Sequence, residues 1–110
     1  MAEQLSYSPF LGHIDIIILR LLLDGDGYGF DIQNRILEIT GEKHGIKETT
    51  LYSNIKRLEG GGLVSSYWGD ETQGARRKYY RITGAGEKML QQNIEDWKFT
   101  KKAIDTFLGL

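Results

Sequence analysis

Residues 47–83 read KETTLYSNIKRLEGGGLVSSYWGDETQGARRKYYRIT, and the order of patterns in this stretch decides the fold. Leu51, Ile55 and Leu58 recur at steps of four and three, which predicts a helix over 47–59 with one apolar face. Three glycines, Gly60, Gly61 and Gly62, then stop it. Residues 63–68 and 77–82 are rich in β-branched and aromatic types and flank the polar, glycine-containing segment 69–74, the pattern of a hairpin with a long loop. Thr83 follows as a helix N-cap, with Glu87 in the first turn where the helix dipole favours an acid.

On the N-terminal side, residues 14–23 (IDIIILRLLL) form a nearly continuous apolar run, read as a buried helix because leucines and a short loop follow. The segment 24–29 breaks it. Ile32, Ile36 and Ile39 then recur at helical spacing until Gly41 ends a second helix. The order helix, helix, helix, hairpin, helix predicts a mainly α chain with a small β hairpin. It is the plan of a winged helix-turn-helix DNA-binding domain over 1–82, followed by a C-terminal dimerisation helix over 83–110.

The bulk numbers agree with one small domain. The chain has 110 residues, 40% of them hydrophobic, and no cysteine, so disulfides, thiolate catalysis and zinc-thiolate sites are absent. There is no apolar run long enough for a membrane span and no secretory signal, and a cytoplasmic location is expected. The net charge of −1 conceals a division: residues 1–40 carry two basic and six acidic groups, whereas 74–82 carry four basic groups and no acid. Positive charge is thus concentrated where it can act locally.

In a winged helix the third helix enters the major groove and the basic hairpin lies on flanking phosphates. With Leu51, Ile55 and Leu58 turned inward, the outward face of this helix holds Thr49, Ser53 and Lys56, beside Thr50, Tyr52 and Arg57, with no acid among them. Small and long hydrogen-bonding side chains of this kind can approach base edges and phosphates. In the hairpin, alternation sends Arg77, Tyr79 and Arg81 to one side and Lys78, Tyr80 and Ile82 to the other. Arg76, Arg77 and Lys78 are expected on phosphates, near a wing tip where Gly74 permits close approach to the strand.

The last helix carries a second stripe. Leu90, Ile94, Trp97, Lys101, Ile104 and Leu108 fall on one side in steps of four and three, a coiled-coil-like seam that predicts a homodimer. Two symmetric copies would read an inverted-repeat duplex with half-sites about 34 Å apart.

The motifs Thr50-Leu51-Tyr52, Arg57-Leu58-Glu59, Gly62-Leu63-Val64 and Arg76-Arg77-Lys78-Tyr79-Tyr80-Arg81-Ile82-Thr83 make the chain resemble the PadR-like transcriptional regulators, from about residue 12 to the end. Residues 63–83 resemble those of a lactococcal multidrug-responsive repressor of that family. The resemblance implies a homodimeric repressor of the short subfamily, controlling an efflux or detoxification operon. It also implies a small planar hydrophobic effector stacked on Trp97 at the dimer interface. Asn93 and Thr100 lie on the same side for hydrogen bonds, and Lys101 within the stripe would favour neutral or anionic compounds. The sequence departs from the family pattern in having Glu48-Thr49 where many members carry Pro-Gly, in a shorter 24–29 loop, and in Lys101 where the multidrug-responsive relative has an acid.

Other function classes find little support. His13 and His44 are the only histidines, and neither lies near a nucleophile or a second ligand in sequence. Asp24, Asp26 and Asp31 lack calcium-loop spacing, and Gly25, Gly27 and Gly29 are followed by no Lys-Ser/Thr, so neither an enzyme nor a cofactor is expected. The competing reading is a winged helix that binds a protein partner and no specific DNA.

Overall fold

The computed structural model describes residues 12–41, 45–69 and 76–110. The expectations for Gly74 and His44 lie outside the described residues. Among the described residues seven elements follow in order: α1 (Ile14–Asp24), β1 (Gly27–Tyr28), α2 (Gly29–Ile39), α3 (Glu48–Gly60), β2 (Val64–Trp68), β3 (Lys78–Ile82) and α4 (Gly84–Leu108). The architecture is mainly helical with a small antiparallel sheet, as the patterns predict.

The core forms because each helix contributes one apolar stripe and all the stripes converge. Ile14, Ile18, Leu19, Leu21 and Leu22 of α1 meet Ile32 and Ile36 of α2, Leu51, Ile55 and Leu58 of α3, and Val64, Tyr80 and Ile82 of the sheet. Each fully buried aliphatic side chain contributes about 1.5–3 kcal/mol relative to exposure, so these residues dominate the stability of the body. Burial pushes the Tyr80 hydroxyl above the usual tyrosine range. Helix α3 closes where the glycines predict: Gly62 adopts φ +78°, its N–H donates to the Glu59 carbonyl at 3.0 Å, and the Leu63 N–H donates to the Leu58 carbonyl at 2.9 Å.

The sheet is larger than the expected hairpin. Its strand order is β1-β3-β2, with Gly27 opposite Tyr80 and Tyr28 opposite Tyr79 in addition to the Val64–Ile82 ladder. The 24–29 segment, read as a turn, thus supplies a third strand. Two residues are too few to show alternation, and the strand exists because β3 offers a free edge to them.

Thr83 caps α4: its hydroxyl accepts from the Gly86 N–H at 3.0 Å and donates to the Gly62 carbonyl at 2.7 Å. The N-terminal part of α4 is docked on the body, with Leu90 only 2% exposed. The C-terminal part is not, and Phe107 and Leu108 are 88% and 67% exposed. No helix among the described residues is long and apolar enough to cross a membrane.

Candidate nucleic-acid interface

Because the inward face of α3 is fixed by Leu51, Ile55 and Leu58, its opposite face must project from the body. Thr49, Tyr52, Ser53, Lys56 and Arg57 are exposed there, and Thr50 is half-buried. Two of these side chains are more constrained than spacing alone indicates. The Tyr52 ring lies against the N-terminus of α2, where a Cβ added at Gly29 would collide with its hydroxyl. The glycine therefore permits the close approach of α3 to α2.

Arg57 is gripped by Asp15 of α1, with Nη1 and Nη2 donating to the two carboxylate oxygens at 2.8 and 2.7 Å. Nη2 also donates to Asn54 Oδ1 at 2.6 Å, and Asn54 Nδ2 donates to the Thr50 carbonyl at 2.8 Å. The hydrogen bond to Asp15, reinforced by its charge, holds the guanidinium pKa above its ordinary value. Arg57 is thus engaged by α1 while its side chain remains exposed.

The wing carries a ladder of arginines on aromatic rings. Arg76 lies over Trp68 at 5.6 Å, Arg77 over Tyr28 at 4.7 Å and Arg81 over Tyr67 at 4.9 Å. The rings support one another: Tyr28 meets Tyr79 edge-on at 5.5 Å, and Tyr67 stacks on Tyr79 at 5.7 Å. Asp26 accepts from the Tyr67 hydroxyl at 2.6 Å and from Arg81 Nε at 3.3 Å. That bond raises the Tyr67 pKa, because the phenol must keep its proton to make it.

Arg76, Arg77 and Lys78 remain exposed, and rings underneath the two arginines set their approach to a strand. Sequence reading missed Tyr28, Tyr67 and Asp26 as parts of this surface; the alternation of Tyr79 and Arg81 was the available hint, and the pairing of β1 was not. A small cavity of about 490 Å³ adjoins both surfaces, lined by Tyr52 of α3 and by Tyr28, Arg77 and Lys78. Helix α3 and wing thus form one continuous face.

On the other side of α1, an open cleft of about 880 Å³ is bounded by α1 and α4. Asn93, Ile94, Trp97 and Thr100 line it, together with His13, Asp15, Ile16 and Ile39. Trp97 is 44% exposed and meets the His13 ring edge-on at 4.9 Å. Three of the four residues singled out for a ligand are therefore brought together. Lys101 is turned along the helix instead, its Nζ donating to Asp105 at 3.0 Å. The seam is also divided: Leu90 is taken up by the chain's own core and has almost no surface to offer a second copy, whereas Ile104 and Leu108 are 49% and 67% exposed. Periodicity places a residue on a stripe, but not the partner that covers it.

Comparison with known proteins identifies the family and the fold. The model of the transcriptional regulator PadR-like family matches residues 18–92. A transcriptional regulator from Clostridium thermocellum is 50% identical, with a TM-score of 0.83 over 89% of this chain and 95% of that one. A PadR family transcription regulator from Clostridium difficile is 38% identical, with a TM-score of 0.78 over 88% and 99% of the two chains. The structure of Bacillus subtilis PadR in complex with operator DNA is 25% identical, with a TM-score of 0.67 over 74% of this chain and 46% of that one. The match extends from within α1 into α4 and so takes in the α3 face, the wing and the docked start of the last helix: this chain belongs to the PadR-like family of transcriptional regulators.

Proposed function

We propose that the chain is a DNA-binding transcriptional repressor that acts as a homodimer on an inverted-repeat operator. One observation carries the reading: the outward face of α3, from Thr49 to Lys56, contains no acid and is continuous with the arginine-bearing wing, so bases and flanking phosphates of one duplex can be met together. Thr49, Thr50, Tyr52, Ser53 and Lys56 set register and sequence. Arg76, Arg77 and Lys78 hold phosphates, and Arg57, beside the outward face of α3, braces that helix against α1 through Asp15. The likeness to a relative solved with operator DNA supports the same reading.

Dimerisation runs through Ile94, Trp97, Ile104 and Leu108, which a second copy of α4 would cover. The cleft at Trp97, with Asn93 and Thr100, suits a small planar hydrophobic effector, and release of the operator requires that this ligand prefer the arrangement unable to bind DNA. An efflux or detoxification operon is the matching target.

The test is a selection from random duplexes followed by a salt titration. Arg76→Ala, Arg77→Ala and Lys78→Ala together should weaken binding to every sequence and flatten the salt slope by about one unit per lost phosphate contact. Ser53→Ala should instead relax base preference. Unchanged affinity in the triple variant would refute the wing assignment, and failure to select any duplex would favour a protein-binding winged helix.

A further inference from the structure

Asp15 belongs to two places at once. It is one of the residues lining the cleft that holds Trp97 and Asn93, and both its carboxylate oxygens are engaged by Arg57 of α3 at 2.7 and 2.8 Å. The thread continues from Arg57 to Asn54 and from Asn54 to the Thr50 carbonyl in the first turn of α3. A polar path therefore runs from the cleft to the end of α3 that carries Thr49 and Thr50.

The physical need for such a path follows from how α3 is held. Leu51, Ile55 and Leu58 fasten it by apolar contact, which is non-directional and tolerates small rotations of the helix about its axis. A bidentate guanidinium–carboxylate fork fixes two points and an orientation. The pair is also accessible, with side-chain exposures of 61% for Arg57 and 31% for Asp15. An ion pair in that setting contributes little to overall stability, so an occupant of the cleft can disturb it without unfolding the body.

We propose that Asp15 is a positioning residue: through its fork with Arg57 it sets how α3 meets the duplex, and it transmits the state of the Trp97 cleft to that helix. The proposal rests on the operator and cleft readings above. It makes a prediction whose sign opposes simple electrostatics. Removing an acid beside a DNA-binding helix ordinarily strengthens binding, because repulsion of the phosphates is relieved. If Asp15 positions α3, the same removal weakens it.

The experiment uses the full chain, with Trp68 unaltered wherever duplex affinity is read because its ring lies under Arg76 of the wing, and with Trp68→Phe only where fluorescence is read, so that Trp97 is then the sole indole. The duplex is the one recovered by random selection, and two quantities are read: duplex affinity, and acrylamide quenching of Trp97 with and without duplex. The expected result is that Asp15→Asn lowers affinity about tenfold, within the usual range of site-to-site coupling. Asp15→Glu should recover most of it, and Asp15→Asn should add nothing to Arg57→Gln. Duplex should change Trp97 quenching in the parent and not in Asp15→Asn.

Equal or tighter binding by Asp15→Asn overturns the proposal, as does a quenching response that survives in it. If the parent binds duplex but Trp97 does not respond, the operator reading stands and this proposal falls. If the parent binds no duplex, both fall.

Discussion

The body of the molecule and the distal half of α4 use the same kinds of residue in opposite ways. Ile18, Leu19, Ile32 and Leu51 are 0% exposed within a single chain, whereas Ile104, Leu108 and Phe107 range from 49% to 88%. Both sets recur at helical spacing. The body is complete because stripes from three helices and a sheet converge on one another. Among the described residues, distal α4 extends past every element that could cover it, and its apolar face is left exposed. The two regions should therefore respond differently to mutation: the body through folding at any concentration, the helix through association.

The largest effect is expected at Leu51, where truncation to Ala leaves a cavity in a fully buried part of the core and should cost about 2–5 kcal/mol. Urea unfolding checks this, and the loss should not depend on protein concentration once a monomeric background is used. A loss under 1 kcal/mol would mean that the body is less self-contained than its burial indicates.

Next in size is the paired change Ile104→Asp and Leu108→Asp, at the exposed positions of the stripe. Burying carboxylates in an apolar seam should weaken association by at least about a hundredfold, while circular dichroism of the body stays close to that of the parent. Sedimentation gives the mass directly. A parent that is already monomeric, and whose mass is unchanged by the pair, would remove the seam.

The smallest effects compare two glycines. Gly29→Ala drives a methyl into Tyr52 and should cost about 1–3 kcal/mol. Gly84→Ala, at the exposed start of α4 with no neighbour within 4 Å, should stabilise by about 0.4–1 kcal/mol because the unfolded chain loses freedom. Thermal melts of the two variants should move in opposite directions. Movement in the same direction would blur the distinction between a packed body and an open helix.

Much of the architecture was legible from local signals. Leu51, Ile55 and Leu58 turn inward as their spacing predicts, Thr83 caps α4 through its hydroxyl, and Gly62 closes α3 in a left-handed conformation. These devices act within a few residues of one another, so the pattern and its cause lie in the same short stretch. The candidate interface was legible only in outline. Exposure of Thr49, Ser53 and Lys56 follows from the inward stripe, but the ring beneath each wing arginine does not, because Tyr28 reaches β3 from a distant part of the chain.

What the sequence by itself determined is the type and order of the helices, the presence of a wing, the concentration of positive charge in it and the existence of an apolar stripe on α4. The tertiary structure alone decided where each stripe finds its partner. It assigned Leu90 to the chain's own core, paired Gly27 and Tyr28 with β3, turned Lys101 toward Asp105 and committed Arg57 to Asp15, 42 residues away. The reason is physical: periodicity records which side of an element is apolar or polar, whereas the identity of the covering or bonding group depends on chain segments that only folding brings together.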